Sequence, residues 1–155
     1  MRSHSSLLHL TTPKPSFPRH NQTVTTNKAT FYKLLLNKES EKQQESAQIL
    51  RHHLLFIEKE GIGKLSDDGS YWFGEFLSLV DLAFYPWFER FAVVEHYRAF
   101  ALPSECVRLQ QWWEAMGKRP SVRAIANQSK FYIEQYLQYA NHTATGITAQ
   151  EMRQN

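Results

Sequence analysis

Apolar positions along the chain recur at helical spacings, and no stretch of useful length alternates at period two. The most informative stretch is 77–90, Leu-Ser-Leu-Val-Asp-Leu-Ala-Phe-Tyr-Pro-Trp-Phe-Glu-Arg. Ser78 stands where an N-cap belongs. Asp81, three residues on, is placed to reach back to the Ser78 N–H, which is the reciprocal arrangement of a capping box. Leu77 and Leu82 have the spacing of a hydrophobic staple. Leu79, Leu82, Ala83 and Pro86 keep the i, i+3, i+4, i+7 spacing of one apolar face, and Phe84, Trp87, Phe88 and Phe91 widen it. The pattern therefore predicts a central helix buried on most sides. Pro86 has no N–H for the Leu82 carbonyl, so a kink is expected there, beside aromatic rings that can line a pocket.

The remaining elements follow from the same spacing. Residues 31–36 read as the end of a short apolar helix, followed by a polar break at 37–40. Ala47, Leu50, Leu54 and Ile57 predict a helix over 41–60, with Gly61 as its stop. Asp67-Asp68-Gly69 marks a turn into a short extended segment at Trp72-Phe73-Gly74. Residues 95–101 read as a connection to Pro103-Ser104, after which Leu109, Trp112, Trp113 and Met116 stripe another helix. Ser129 is expected to cap a last helix carrying Ile133, Tyr136, Leu137 and Ala140. Together these predict an all-α fold, a right-handed bundle of about five helices.

Length and charge set the limits of this picture. A chain of 155 residues holds one ordinary domain, expected over 29–140, with a polar tail over 141–155. Residues 1–28 have Ser, Thr and Pro but no sustained pattern, and are expected to be a disordered tail. The first acidic residue is Glu39, and an acid-free, Ser/Thr-containing start also fits an organellar transit segment. The expected location is cytoplasmic, or a plastid or mitochondrion if that segment is an address. No apolar run reaches membrane-spanning length, so no membrane partner is expected. The net charge of +3 comes largely from the start of the chain, which argues against a nucleic-acid surface on the helical part.

Candidate chemistry is sparse. Cys106 is the only cysteine, which excludes an internal disulfide. A place in the first turn of a helix would lower its thiol pKa, but with no basic partner predictable beside it, an inert buried thiol is the favoured reading. His52 and His53 are adjacent and so point about 100° apart on a helix, which is the wrong geometry for a metal pair. Asp67 and Asp68 lack the other ligands of a calcium loop. No metal site is expected, and there is no Gly-rich phosphate loop or internal repeat.

Ser-Leu-Val-Asp at 78–81, followed by Tyr-Pro-Trp-Phe-Glu-Arg at 85–90, resembles the sixth helix of cytosolic glutathione S-transferases, especially omega-type and related bacterial or plant forms. Trp112-Trp113-Glu114-Ala115-Met116 and Lys118-Arg119-Pro120-Ser121-Val122 are similar to the family's tryptophan-containing helix and the turn that ends it. The resemblance covers about 31–140 and is to the C-terminal helical domain only. It implies the helical half of a detoxifying transferase, which forms the wall of the hydrophobic-substrate site, with Phe31, Tyr32, Tyr85, Trp87 and Tyr136 as the pocket candidates. In the family a thioredoxin-like N-terminal domain supplies the glutathione site and the catalytic residue, and no counterpart is found in this sequence. No catalytic residue is therefore expected here, and glutathione is expected only as the co-substrate of a full-length relative. The implied partners are a second copy, as a homodimer, or a glutathione S-transferase-like chain. A reading from another class is a non-catalytic binding or scaffolding module, like the helical domains appended to translation factors and aminoacyl-tRNA synthetases. A truncated gene product is a third.

Overall fold

A computed structural model describes residues 20–147 and 150, with side chains from Lys28 onward. In chain order it contains α1 (His20–Leu36), α2 (Ser40–Phe56), a π-helical turn (Ile57–Ile62), α3 (Gly63–Leu65), α4 (Leu79–Phe88), α5 (Phe91–Arg98), α6 (Val107–Lys118), α7 (Pro120–Arg123) and α8 (Ser129–Ala140). No strand occurs among the described residues, only isolated bridges at Tyr71–Gly74 and Phe73–Phe76, so the fold is all-α. None of the described helices is long and apolar enough to cross a membrane.

Helix α1 begins at His20, well before the apolar segment at Phe31 and inside the stretch expected to be a tail. Residues 1–19 of that stretch lie outside the described residues. Phe31, Leu34 and Leu35 are buried, and α1 packs on α2, α4, α5 and α8. The polar residues that precede Phe31 hid the helix, because without an apolar stripe they show no period.

Gly61 does not stop the second helix. The chain runs on through the π turn into α3, and a Cβ at Gly61 would sit 3.0 Å from the Trp72 ring, so its role is packing. At Gly63 a Cβ would meet the Glu58 carbonyl oxygen at 2.3 Å, an approach only glycine allows. This wider turn presents the Glu58 carboxylate to the start of α6, where it accepts the N–H groups of Arg108 (2.8 Å) and Leu109 (2.9 Å). Two donors that α6 cannot satisfy internally are thereby paired, and the negative charge sits at the positive end of the helix dipole.

Asp81 joins α4 to its surroundings. Its carboxylate is 0 % exposed and accepts from the Ser78 N–H (2.7 Å), the Ser78 hydroxyl (2.6 Å), the Trp72 N–H (3.0 Å) and the Trp112 Nε1–H (2.8 Å). The Ser78 Oγ in turn accepts from the Asp81 N–H at 3.4 Å, which completes the capping box.

Of the broad apolar surface expected to be buried on α4, the widening aromatic residues pack and the Leu79, Leu82, Ala83 and Pro86 stripe does not. Phe84, Tyr85, Trp87 and Phe88 are buried, whereas Ala83 and Pro86 are exposed, Leu79 is 82 % exposed and Leu82 is 50 % exposed. The helix is apolar on all sides, so periodicity carries no preference between its faces. The aromatic side wins because Trp72 stacks on Phe84 while Phe91 and Trp112 pack edge-on against Trp87 and Phe88.

Two further boundaries differ from expectation. The stretch around Glu95 is helical, since α4 ends at Phe88 and α5 starts anew at Phe91, burying Phe91, Val93 and Val94. Ser129 is the first residue of α8 and makes no cap; Gln128 holds the N-cap position with no side-chain hydrogen bond. Of the expected stripe on α8, Ala140 is buried and Tyr136 half-buried, whereas Leu137 is exposed and Tyr132 does most of the packing. On α6, Leu109, Trp112 and Met116 are buried at the predicted spacing. Arg98 closes the far end of the bundle by donating to the carbonyls of Leu34 (3.2 Å), Leu35 and Ala140 (3.3 Å), at the C-terminal ends of α1 and α8.

Candidate functional site

A groove of about 390 Å³ opens where α1, α4 and α8 meet, floored by Phe31, Phe84 and Trp87 and walled by Tyr32, Ala83, Pro86 and Tyr136, with Lys28 and Arg90 at its edge. Its geometry follows from the helices. Lys28, Phe31 and Tyr32 share one face of α1 at i, i+3 and i+4, while Ala83, Pro86 and Trp87 lie at i, i+3 and i+4 on α4, and Arg90 follows in the turn between α4 and α5. The exposed edge of α4 at Ala83 and Pro86 thus borders the groove, and the core residues Phe84 and Trp87 floor it.

The aromatic rings are held in place. Phe31 meets Tyr32 and Trp87 edge-on, at centroid distances of 5.5 and 6.1 Å. Tyr32 stacks on Tyr136 at 6.1 Å, and their hydroxyls share a hydrogen bond of 2.9 Å. Burial and that hydrogen bond push the Tyr32 pKa well above the usual tyrosine value, so the phenol stays neutral. Trp87 is 8 % exposed, and its Nε1 has no hydrogen-bond partner among the described residues.

Four of the five aromatic positions singled out from the sequence, Phe31, Tyr32, Trp87 and Tyr136, therefore line one groove. Tyr85 does not. It lies on the α6 side of α4, edge-on to Trp112 at 6.4 Å, and a Cβ on Gly117 would be 3.6 Å from its hydroxyl. Burial and the nearby Glu89 carboxylate raise its pKa. Lys28 and Arg90 escaped the sequence reading, although each lies three residues from a groove aromatic, Lys28 from Phe31 within α1 and Arg90 from Trp87 just past the end of α4.

The other reactive groups are placed apart from the groove. Cys106 is at the N-cap position of α6, 1 % exposed, and burial with the Glu58 and Glu105 carboxylates pushes its thiol up to about 11. The helix dipole does not prevail there, because two acids and desolvation oppose it. His53, half-buried on α2, has its pKa lowered by burial and by His52, whose ring lies 6.4 Å away. No group of three or more potential metal ligands occurs among the described residues. A second concavity of about 600 Å³, at the α1–α2 turn, mixes Lys33, Lys38 and Lys42 with Glu39 and Glu45 and offers neither an apolar floor nor a single sign of charge.

Residues 41–115 match the family model described as glutathione S-transferase, C-terminal domain. No curated protein matches the chain. The match runs from the start of α2 into α6, so this part of the chain is similar to a helical domain of that type, and the all-α fold is consistent with it. Trp87 and the α4 face lie within it, whereas Phe31, Tyr32 and Tyr136 come from helices on either side.

Proposed function

We propose that the chain acts as the helical half of a glutathione S-transferase-like site, with the groove as the wall for an apolar aromatic co-substrate and the outer face of α4 as the seat of a glutathione-holding domain. The observation that carries this reading is the convergence of Phe31, Tyr32, Trp87 and Tyr136 on one groove. Beside the groove, Leu79, Leu82, Ala83 and Pro86 form an uncovered apolar strip, continued by Phe76 and Leu77. In this reading glutathione is the co-substrate, held by the covering domain, and none of the residues in the groove acts as nucleophile. The rings position and desolvate the electrophile.

Titration of the full chain with 3,5-dinitrobenzamide, followed by quenching of tryptophan fluorescence, tests the groove. Saturable quenching is expected, and Ala83→Trp, which fills the groove from an exposed position, should remove it. Quenching that never saturates, or that survives Ala83→Trp, would end this reading.

A scaffolding role is the second reading, favoured by the state of the chain's single thiol. Cys106 is buried with a raised pKa, so it offers no nucleophile for thiol exchange. Under that reading the groove binds no aromatic ligand, and the α4 strip alone carries the function through a protein partner.

A further inference from the structure

We infer that the groove selects aromatic ligands that carry a negative charge, with Lys28 and Arg90 as the residues that recognise the anion. The inference rests on the groove reading above and narrows it to a substrate class, planar aromatic acids or aromatic rings bearing a comparable anionic group. Two cations stand at the edge of a floor made of aromatic rings, and no carboxylate among the described residues lines the groove. Nothing on α1 can neutralise Lys28, since the chain has no Asp or Glu before Glu39. None of the ion pairs formed among the described residues involves Lys28 or Arg90.

Arg90 is held rather than loose. One guanidinium nitrogen donates to the Pro86 carbonyl, and the group lies over the Tyr132 ring at 5.4 Å from its centroid, which leaves further N–H donors for a ligand. The nearest acid in sequence, Glu89, accepts from the hydroxyl of the same Tyr132 at 3.0 Å and does not line the groove. Arg90 acts on Tyr32 in the groove and opposes the rise of its pKa, whereas Glu89 acts on Tyr85 on the far side of α4. A ring stacked among Phe31, Tyr32 and Trp87 would place an acidic substituent toward that positive edge, where a low-dielectric floor strengthens the attraction.

The test compares 3,5-dinitrobenzoate with the neutral 3,5-dinitrobenzamide at pH 7 and low salt, by tryptophan quenching on the full chain. The benzoate is expected to bind about tenfold more tightly, a difference of about 1.4 kcal/mol. Added salt should erase the difference. Arg90→Gln should reduce the preference, and Lys28→Glu, at an exposed position that leaves the packing untouched, should abolish it, since Arg90 alone then faces an acid. Equal affinity for the two ligands would overturn the charge inference and leave the groove reading standing. A preference for the benzoate that Lys28→Glu leaves intact would overturn the assignment. Failure of both ligands to bind would remove the groove reading and this inference together.

Discussion

The Trp112 indole N–H donates to Asp81 Oδ1 at 2.8 Å, so the carboxylate that caps α4 is also the anchor of α6. The same oxygen accepts from the Trp72 N–H, while Oδ2 takes both the N–H and the hydroxyl of Ser78. One buried anion thus fixes a helix start, the loop before it and the neighbouring helix. Asp81→Ala leaves the Trp72, Ser78 and Trp112 donors unpaired away from water and should destabilise the fold by about 3–5 kcal/mol. Asp81→Asn keeps an acceptor for the two tryptophan donors and should cost less. Urea unfolding followed by circular dichroism measures both, and an unchanged midpoint for Asp81→Ala would show that the hub does not hold the helices together.

Glu58 performs for α6 what Asp81 performs for α4, but from a distant part of the chain. Its two oxygens accept from Arg108 and Leu109 across the π turn. Glu58→Ala should weaken the start of α6 by about 1 kcal/mol, and Glu58→Gln by less, since the amide oxygen still accepts. Amide hydrogen exchange resolves the effect. Faster exchange is expected at Arg108 and Leu109, while protection at Trp112 and Met116 persists.

The contrast between these two caps shows what the sequence made legible. The Ser78–Asp81 box is local, three residues apart, and can be read directly from residue types. The Glu58 cap spans 50 residues and depends on a π turn that no periodicity announces. The heptad-like spacing on α6 found Leu109, Trp112 and Met116 because that helix has one apolar side. On α4 the same reasoning expected burial on most sides, Leu79 and Leu82 together with Phe84 and Phe88, because an all-apolar helix leaves the choice of face to its neighbours. In the groove, four aromatic residues were recognisable from a resemblance, but Lys28 and Arg90 were not, since a cation on a helix face becomes informative only once the facing helix is known.

Stability should fall as the solution turns alkaline. Cys106 has its pKa raised by burial and by Glu58 and Glu105 from an ordinary value of 9.0 to about 11. The folded thiol keeps its proton while the unfolded one releases it, so its contribution is fully present below about pH 9 and is lost as pH rises toward 11. The buried Tyr32 phenol acts in the same direction at higher pH. Thermal melts from pH 8 to 11 should show a declining Tm, with a shallower decline for Cys106→Ser. A slope that the substitution does not alter would assign the effect to other groups. Native Cys106 should also resist alkylation by iodoacetamide at pH 8 and react once the chain is unfolded in urea.

The orientation of α4 allows the sharpest test, because the two possible faces predict opposite outcomes. Phe88 is 0 % exposed and packs against Phe91, Trp112 and Trp113, so Phe88→Ala should cost about 3–5 kcal/mol. Leu79 and Leu82 lie on the other side, largely in solvent, and Leu79→Ser with Leu82→Ser should change stability by only about 0.5 kcal/mol. The same pair of substitutions removes the centre of the apolar strip. If that strip seats another protein surface, the parent chain should self-associate in sedimentation velocity at high concentration, and the double variant should shift toward monomer. Loss of stability in the serine variant comparable to that of Phe88→Ala would place Leu79 and Leu82 in the core and reverse the assignment of faces. A monomeric parent chain, with stability unaffected by the serines, would keep the helix orientation and remove self-association as the consequence of the open strip.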